Sequence, residues 1–120
     1  MSDFRDLLFY QKAFDNAMRV FEMTKSFPSE EKYVLTSQIR RSARSVCSNI
    51  AEGYRKRHYL KYFISKLSDA DMESSETIVW LDFALACQYI DQNMQTSMVE
   101  RLVEVGKMLN HAILHPEKFM

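Results

Sequence analysis

Glycine and proline are rare in this chain, with two of each among its 120 residues. β-Hairpins and tight loops depend on these residues at defined turn positions, so a fold built from hairpins is excluded. The segments between the few turn residues instead use leucine, methionine, alanine, glutamate and lysine, all good helix formers. We therefore predict an all-α protein, with residues 1–120 forming one domain large enough to bury its own core.

Cysteine is equally rare, and its two residues form no recognisable framework. Cys47 and Cys87 are too few for a disulfide scaffold, and their spacing matches no zinc-binding pattern. We interpret both as buried free thiols in a reducing compartment. The sequence also lacks an apolar run of roughly 18 residues and a charged leader before an apolar core. These features predict a cytoplasmic protein with no membrane partner.

Motifs for catalysis and metal binding are missing. Asp69, Glu73 and Glu76 share one helical face, but the Glu-x-x-His pattern of di-metal bundles does not occur. His111 and His115 are four residues apart, yet no glutamate follows the first of them as metalloproteases require. Two isolated glycines cannot build a phosphate-binding loop, and no serine or cysteine has a histidine in a plausible context. We predict a protein that is not an enzyme and uses no metal or cofactor.

The formal net charge is zero, but the charges are separated along the chain. Residues 40–66 hold eight basic side chains and one acidic one, whereas residues 67–104 hold eight acidic side chains and one basic one. In a chain with such a separation, the two segments either pair with each other, pair between copies of the protein, or leave one charged face to attract a partner. All three outcomes remain open from the sequence.

Apolar residues recur at steps of three and four in four segments, which predicts four amphipathic helices. In the first helix the inward positions are expected to be Leu7, Tyr10, Phe14, Ala17 and Phe21. The connections are short, and this predicts an antiparallel up-down-up-down four-helix bundle. The four helices are expected to begin after Asp3 or Asp6, near Glu30, near His58 and after Asp91 or Asn93, and to end near Phe27, Arg55, Cys87 or Gln88, and Pro116.

Small residues dominate positions 42–53, where eight of twelve are Ser, Ala, Cys, Gly or Asn. Small side chains let neighbouring helices approach closely, so we expect this to be the most tightly packed helix. Asn49 is a poor helix former and is expected to bond partners in the core or at a subunit contact. Glu52 is expected to pair with Arg55 or Lys56 on its own helix.

Basic residues flank this small-residue segment on both sides. We predict that they form a phosphate-binding surface, with Tyr54, Tyr59 and Tyr62 available for base stacking. Arg40 and Arg41 lie deeper in the helix and are expected to pair internally. The alternative is a solvated helix face with ion pairs to the acids of the third helix. The candidate nucleic-acid ligands are Arg44, Arg55, Lys56, Arg57, Lys61 and Lys66.

The sequence resembles the 23S ribosomal RNA intervening-sequence proteins over nearly its whole length. The motifs that carry the resemblance are Gln-Ile-Arg-Arg-Ser at 38–42, Ser-Asn-Ile-Ala-Glu-Gly at 48–53, and His-Pro-Glu-Lys-Phe at 115–119. Glu76-Thr77 and the run 80–84 also fit, whereas Met72 stands where many members carry glycine. The resemblance assigns structural motif roles to Arg41, Asn49, Glu52, Gly53 and Glu76.

The resemblance implies an antiparallel four-helix bundle that assembles as a homopentamer. It also implies a relation to the accessory variability determinant protein of diversity-generating retroelements, which binds nucleic acid and partners a reverse transcriptase. The residues independently indicate self-assembly, because the apolar side chains exceed the needs of the helix seams. Those expected to point outward are Phe9, Met18, Tyr62 and Phe83.

Three hypotheses follow from the sequence. The first is an oligomeric bundle that binds RNA or DNA through the basic surface, and the second is a protein-interaction scaffold. An enzyme is the third, because catalytic triads can be assembled across a fold.

Overall fold

Four α-helices make up most of residues 3–120, the part of the chain that the computed structural model describes. This part contains no β-strand, which confirms the all-α prediction. Short 3₁₀ turns precede α1 and α2 and follow α4. None of the four helices combines the length and apolar character needed to cross a membrane. The helices are α1 (Leu8–Thr24), α2 (Leu35–Arg55), α3 (Leu60–Ala86) and α4 (Gln92–Leu114).

Aspartate side chains cap the 3₁₀ turn that precedes α1 and the beginning of α4. Asp3 accepts a hydrogen bond from the backbone N–H of Arg5 at 2.9 Å, and Asp6 accepts one from the N–H of Asp3 at 3.1 Å. This reciprocal capping box closes the 3₁₀ turn that leads into α1. Asp91 caps α4 by accepting from the N–H of Met94 at 2.8 Å, so of the two predicted caps Asp91 is the one used.

The prediction that α2 begins near Glu30 is wrong by several residues. A 3₁₀ turn covers Ser29–Glu31, and α2 starts at Leu35. Between them Val34 has φ −122° and ψ −100°, outside the helical region, so the backbone turns before the helix begins. As a result Tyr33 is 83% exposed and Val34 59% exposed, although one of them was expected to point inward.

The buried face of α1 is also offset from the predicted one. Phe9, Ala13 and Val20 are buried, whereas Phe14 is 52% exposed. Phe9 was expected to point outward, and that expectation is wrong because only 4% of it is exposed. Two stripes of apolar residues on α1 share the helical period, so the period alone does not show which stripe is buried. The structure places the one with small residues inward.

The helices contact one another in a consistent order along their lengths. Gly53 of α2 lies against Lys66 of α3, and Ser42, nearly three turns earlier in α2, bonds Thr77, further along α3. Between α1 and α4 the side chain of Asn16 donates to the carbonyl of Arg101 at 3.3 Å. Each helix therefore packs against its neighbour in the chain, and α1 also packs against α4.

The core consists of two apolar clusters with a polar layer between them. The first cluster includes Ile39, Leu81 and Leu102, and the second includes Ile50, Phe63 and Leu109. In the layer between them, Ser42 Oγ lies 2.8 Å from Thr77 Oγ1, and Ser74 Oγ lies 3.4 Å from the carbonyl oxygen of Leu102. The side chains of this layer are Asn16, Ser42, Ser74 and Thr77, all almost fully buried.

The two cysteines differ in environment. Cys47 is half-buried and Cys87 is exposed, so the expectation that both are buried is wrong for Cys87. Cys87 lies just beyond the last residue of α3, where no other helix covers it. Burial raises the pKa of the Cys47 thiol to about 11.

Candidate nucleic-acid interface

An outward-facing groove along the first half of α2 is lined by cations and by no carboxylate. The groove has a volume of about 670 Å³, and hydroxyl groups lie between its cations. A second groove of about 450 Å³ adjoins it, shares Lys32, Thr36 and Arg40 with it, and reaches Phe21 and Lys25 near the end of α1. Neither groove is lined by an acidic side chain within residues 3–120. The cations of the first groove are Lys32, Arg40, Arg41 and Arg44.

Helical spacing extends this basic surface to the far end of α2. Arg44 and Arg55 are eleven residues apart, close to three full turns, so they lie on the same side of the helix roughly 16 Å apart along its axis. Ser48 lies between them on that side, and all three are exposed. We call this surface, which runs from Lys32 past Arg40, Arg44 and Arg55 to Lys56, the basic lane.

Arg40 is held in place without a carboxylate partner. Its Nε donates a hydrogen bond to Thr24 Oγ1 at 2.7 Å, and its guanidinium carbon lies 4.8 Å from the centre of the Phe21 ring. The guanidinium carbon of Arg44 lies 5.9 Å from the same ring. Arg40 therefore pairs internally, as expected, but its partners are a hydroxyl group and an aromatic ring. Neither of them neutralises the charge of Arg40.

Arg41 does pair internally with acids of α3. Its guanidinium contacts the carboxylates of Glu73, at 3.3 Å, and of Glu76. Glu76 also accepts a hydrogen bond from Trp80 Nε1 at 3.3 Å. This cluster joins α2 to α3 at the edge of the basic lane and leaves Arg41 little free charge.

Cations cluster at the end of the basic lane, around the turn between α2 and α3. Arg55, Lys56 and Lys61 are exposed and form no ion pair with any residue from 3 to 120. Arg57 folds back instead, because its Nη1 donates to the carbonyl of Tyr54 at 3.0 Å and its guanidinium carbon lies 4.2 Å from the Tyr54 ring centre. Of the four, Arg57 is the least available to a ligand.

Lys66, the last of the predicted ligands, is engaged by Glu52. Its Nζ lies 3.0 Å from the Glu52 carboxylate, and this hydrogen bond raises the pKa of Lys66. Glu52 was expected to pair with Arg55 or Lys56, and that expectation is wrong. The pairing across helices occurs because Gly53 lets α2 and α3 approach closely at this point, and it leaves Arg55 and Lys56 free.

The exposed tyrosines differ from those expected to stack bases. Tyr54 is buried, with 6% of its surface exposed, so it cannot serve as a stacking platform. Tyr59 is 70% exposed beside the turn cations, and Tyr62 is 42% exposed. Tyr33 is 83% exposed and lies in the groove beside Lys32, although either Tyr33 or Val34 was expected to face inward. No signal in the sequence reveals this exposure, because Pro28 restricts only the residue before it and the acids after Ser29 favour an earlier helix start.

The opposite side of the bundle, between α1 and α4, has a different charge. A groove of about 540 Å³ there is lined by three acids and two bases. Both bases are paired, with Lys12 Nζ 2.6 Å from Glu104 and Arg101 3.5 Å from Asp15. Free cations are therefore concentrated on the α2 side of the molecule.

These features match a known family. The family model of the 23S rRNA-intervening sequence protein matches residues 5–111. The chain belongs to this family. It is similar in structure to a crystallised protein of unknown function from the S23 ribosomal protein family of Bacteroides thetaiotaomicron VPI-5482, with 29% identity and a TM-score of 0.79. That similarity covers 88% of this chain and 95% of the other. A comparison with curated proteins finds no significant match.

In this intervening-sequence protein, the motif residues stabilise the contact between α2 and α3. Arg41 and Glu76 pair across it, Glu52 pairs with Lys66, and Gly53 sits where the two helices are closest. Asn49 bonds within its own helix instead, because its amide donates to the carbonyl of Ser45 at 2.9 Å. Four of the five motif residues thus act on one helix pair.

Two of the three histidines of this family member, His111 and His115, lie at the end of α4 and are exposed. The rings of His111 and His115 have centres 4.7 Å apart, and Lys118 Nζ lies 3.1 Å from His111 Nε2. From Asp3 to Met120 no group of three or more His, Cys, Asp or Glu side chains is placed to hold a metal ion.

Proposed function

We propose that this intervening-sequence protein is a non-enzymatic, oligomeric bundle that binds RNA or DNA through the basic lane of α2. The observation that carries the proposal is the pair of adjoining grooves lined by cations and by no carboxylate. Phosphate groups are recognised by such clusters of Arg and Lys. The family name, which refers to 23S rRNA, agrees with a nucleic-acid ligand.

Zero net charge does not oppose this proposal, because binding depends on the local field. The acids of α3 nearest the lane, Glu73 and Glu76, are engaged by Arg41, and the acids of α4 face α1. A nucleic acid approaching the α2 side would therefore meet mainly positive charge within a Debye length of about 10 Å.

The test is the salt dependence of binding. Changing Arg44, Arg55 and Lys56 together to Ala should weaken binding of a labelled mixed-sequence RNA, measured by fluorescence anisotropy. The slope of log K against log salt should fall by up to about three units, because each lost phosphate contact removes up to about one.

A matched control removes three exposed cations outside the lane. Arg19, Lys107 and Lys118 changed together to Ala should leave the slope close to that of the unmodified protein. Equal slopes for the two triple variants would reject the basic lane as the binding site.

A protein-interaction scaffold is the second candidate function. It is favoured by an apolar stripe on the outer face of α3, where Met72 is 64%, Val79 46% and Phe83 54% exposed. The spacing of seven and four residues places them on one side of the helix. Absence of binding to either RNA or DNA would favour this alternative.

We also propose that the bundle is antiparallel, up-down-up-down, and assembles as a closed ring of five copies in the cytoplasm. The antiparallel order is supported by the pairs Gly53–Lys66 and Ser42–Thr77, since positions later in α2 contact positions earlier in α3. The ring is supported by exposed apolar side chains on α1 and α3 and by different charges on the α2 and α1–α4 sides. A ring needs such a heterologous contact between unlike surfaces.

A further inference from the structure

The corner where the end of α1 meets the beginning of α2 contains three cations around one aromatic ring. Besides the two guanidinium carbons, Lys25 Nζ lies 4.9 Å from the Phe21 ring centre. Lys25 pairs with Glu22 at 3.1 Å, whereas Arg40 and Arg44 form no ion pair within residues 3–120. The two guanidinium groups repel each other but are both held over the ring. An anion between them would relieve this repulsion.

Arg40 is positioned for such an anion before the anion arrives. Thr24 is 2% exposed, and its hydroxyl donates to the carbonyl of Val20 at 2.8 Å while accepting from Arg40 Nε. This anchoring uses only Nε, so both Nη groups of Arg40 remain without a partner from 3 to 120. With Nε engaged, the edge formed by Nη1 and Nη2 is free, and its two parallel N–H groups match the geometry of a phosphate group.

Tyr33 adds a stacking surface to the same groove. Its ring is the most exposed large apolar side chain of the described chain, and Lys32 Nζ lies 5.3 Å from the ring centre. The break at Val34 holds Tyr33 outside the helix, in the groove that Arg40 and Arg44 also line. An exposed tyrosine can stack on the face of a nucleobase of any kind, because every base has a π-face.

We infer that this corner is a nucleotide subsite for single-stranded nucleic acid, with the phosphate bound by Arg40, Arg44 and Lys32 and the base stacked on Tyr33. The inference rests on the proposed function and specifies its ligand. In a duplex the faces of the bases are covered by their neighbours, so only an unpaired strand can offer a base to Tyr33. Duplex RNA could still contact the lane through its phosphates.

The test compares two variants that leave the charge unchanged. Thr24→Val removes the hydroxyl that orients Arg40, and Tyr33→Ala removes the stacking ring. Each should weaken binding of a labelled single-stranded RNA of about 20 nucleotides at least about fivefold, the effect of losing roughly 1 kcal/mol. Tyr33→Phe should bind as the unmodified protein does, and the duplex of the same sequence should be bound equally by Tyr33→Ala and the unmodified protein.

Two controls match these changes. Phe14→Ala removes an exposed aromatic ring of α1 outside the groove, and Thr96→Val removes an exposed threonine hydroxyl of α4. Both should bind single strands normally. Circular dichroism checks that each variant folds, and Tyr33→Ala tests the inference even if Thr24→Val does not fold, since Tyr33 is at the surface.

The outcomes separate the two proposals. If the unmodified protein binds strand and duplex and Tyr33→Ala weakens both equally or neither, the subsite is rejected while the proposed function stands. If the unmodified protein binds neither RNA nor DNA, the proposed function fails and the subsite fails with it. A selective loss of single-strand binding in Tyr33→Ala supports the subsite.

Discussion

Gly53 occupies the closest approach between two helices. A Cβ atom at this position would lie 2.9 Å from Lys66 Cβ and 3.5 Å from the carbonyl oxygen of Phe63. Lys66 Cβ is next to the backbone and cannot rotate away, so α3 would have to shift. Gly106 in α4 differs, because its added Cβ would meet the carboxylate tip of Asp71 at 3.1 Å. That tip can move by rotation of the side chain.

We therefore expect Gly53→Ala to destabilise the protein. The strain of overpacking is about 1–3 kcal/mol and is only partly offset by the gain of about 1 kcal/mol in helix propensity. The free energy of unfolding in urea, followed by circular dichroism, should fall by up to about 2 kcal/mol. Gly106→Ala is the matched control and should be neutral or stabilising. A stability of Gly53→Ala at or above that of the unmodified protein would contradict this account of the helix contact.

The two thiols should differ in reactivity. The thiolate is the reactive form, and burial raises the pKa of Cys47 to about 11, so very little Cys47 thiolate exists near pH 8. Alkylation by iodoacetamide should therefore proceed in two phases, with exposed Cys87 modified at least about tenfold faster than Cys47. The slow phase should accelerate as the pH rises towards 11. In Cys87→Ser only the slow phase should remain, and a fast phase in that variant would disprove the assignment.

At the residue scale, the sequence predicts where charged residues lie along the chain better than it predicts which partners their side chains contact. The basic segment follows from composition alone, but the free state of Arg55 and Lys56 does not, because Glu52 was expected to pair with one of them. The engagement of Lys66 could not be predicted, since it depends on the approach of two helices at Gly53.

The contact between α1 and α4 contains an ion pair whose effect depends on pH. The hydrogen bond from Lys12 lowers the pKa of Glu104 below its ordinary value of 4.5. A carboxylate with a lowered pKa in the folded state stabilises that state above its ordinary pKa, and this stabilisation is lost as the pH falls through the lowered value.

Glu104→Gln should thus lower the urea midpoint slightly near pH 7, and this loss should shrink as the pH falls through the lowered pKa of Glu104, because a protonated carboxyl group forms no ion pair. The effect is small because the pair is exposed to solvent. Glu100→Gln on the same helix is the control, since Glu100 forms no ion pair from 3 to 120. An equal loss in both variants near pH 7 would show that the pair with Lys12 contributes nothing.

At the element scale, helix ends with a specific chemical cause were predictable. Asp91 begins α4 as a capping residue, α4 ends just before Pro116, and α2 ends at Arg55 as expected. The start of α2 was not predictable, because the acids after Ser29 favour a helix there, whereas the backbone leaves the helical region at Val34.

For the whole molecule we expect an assembly that apolar side chains hold together. Light scattering at moderate salt should give five times the monomer mass of 14.2 kDa. Phe83→Asp, on the apolar stripe of α3, should reduce that mass because it places a charge in the contact. Leu114→Asp, at an exposed site near the end of α4, should not. A monomer mass for the unmodified protein would refute assembly, and a dimer mass would reject the ring while keeping a buried contact.

At the scale of the molecule, the sequence predicted a charge separation but not its distribution in space. Part of the complementarity between the basic and acidic segments is used inside one chain, where Arg41 pairs with Glu73 and Glu76. Such pairings need the relative position of two helices, which a linear pattern of charges does not contain. Ion pairs between copies would therefore involve other residues.

The polar layer in the middle of the core also determines how far each helix can slide. Moving α3 by one turn, about 5.4 Å, would set Ser42 opposite Leu81 in place of Thr77 and would bring Asp71 to the position of Leu67 in the second cluster. Each buried hydroxyl left without a partner costs about 1–3 kcal/mol. The least apolar part of the core thus opposes sliding together with the apolar clusters, because one turn of movement leaves a hydroxyl without its partner and a carboxylate among apolar side chains.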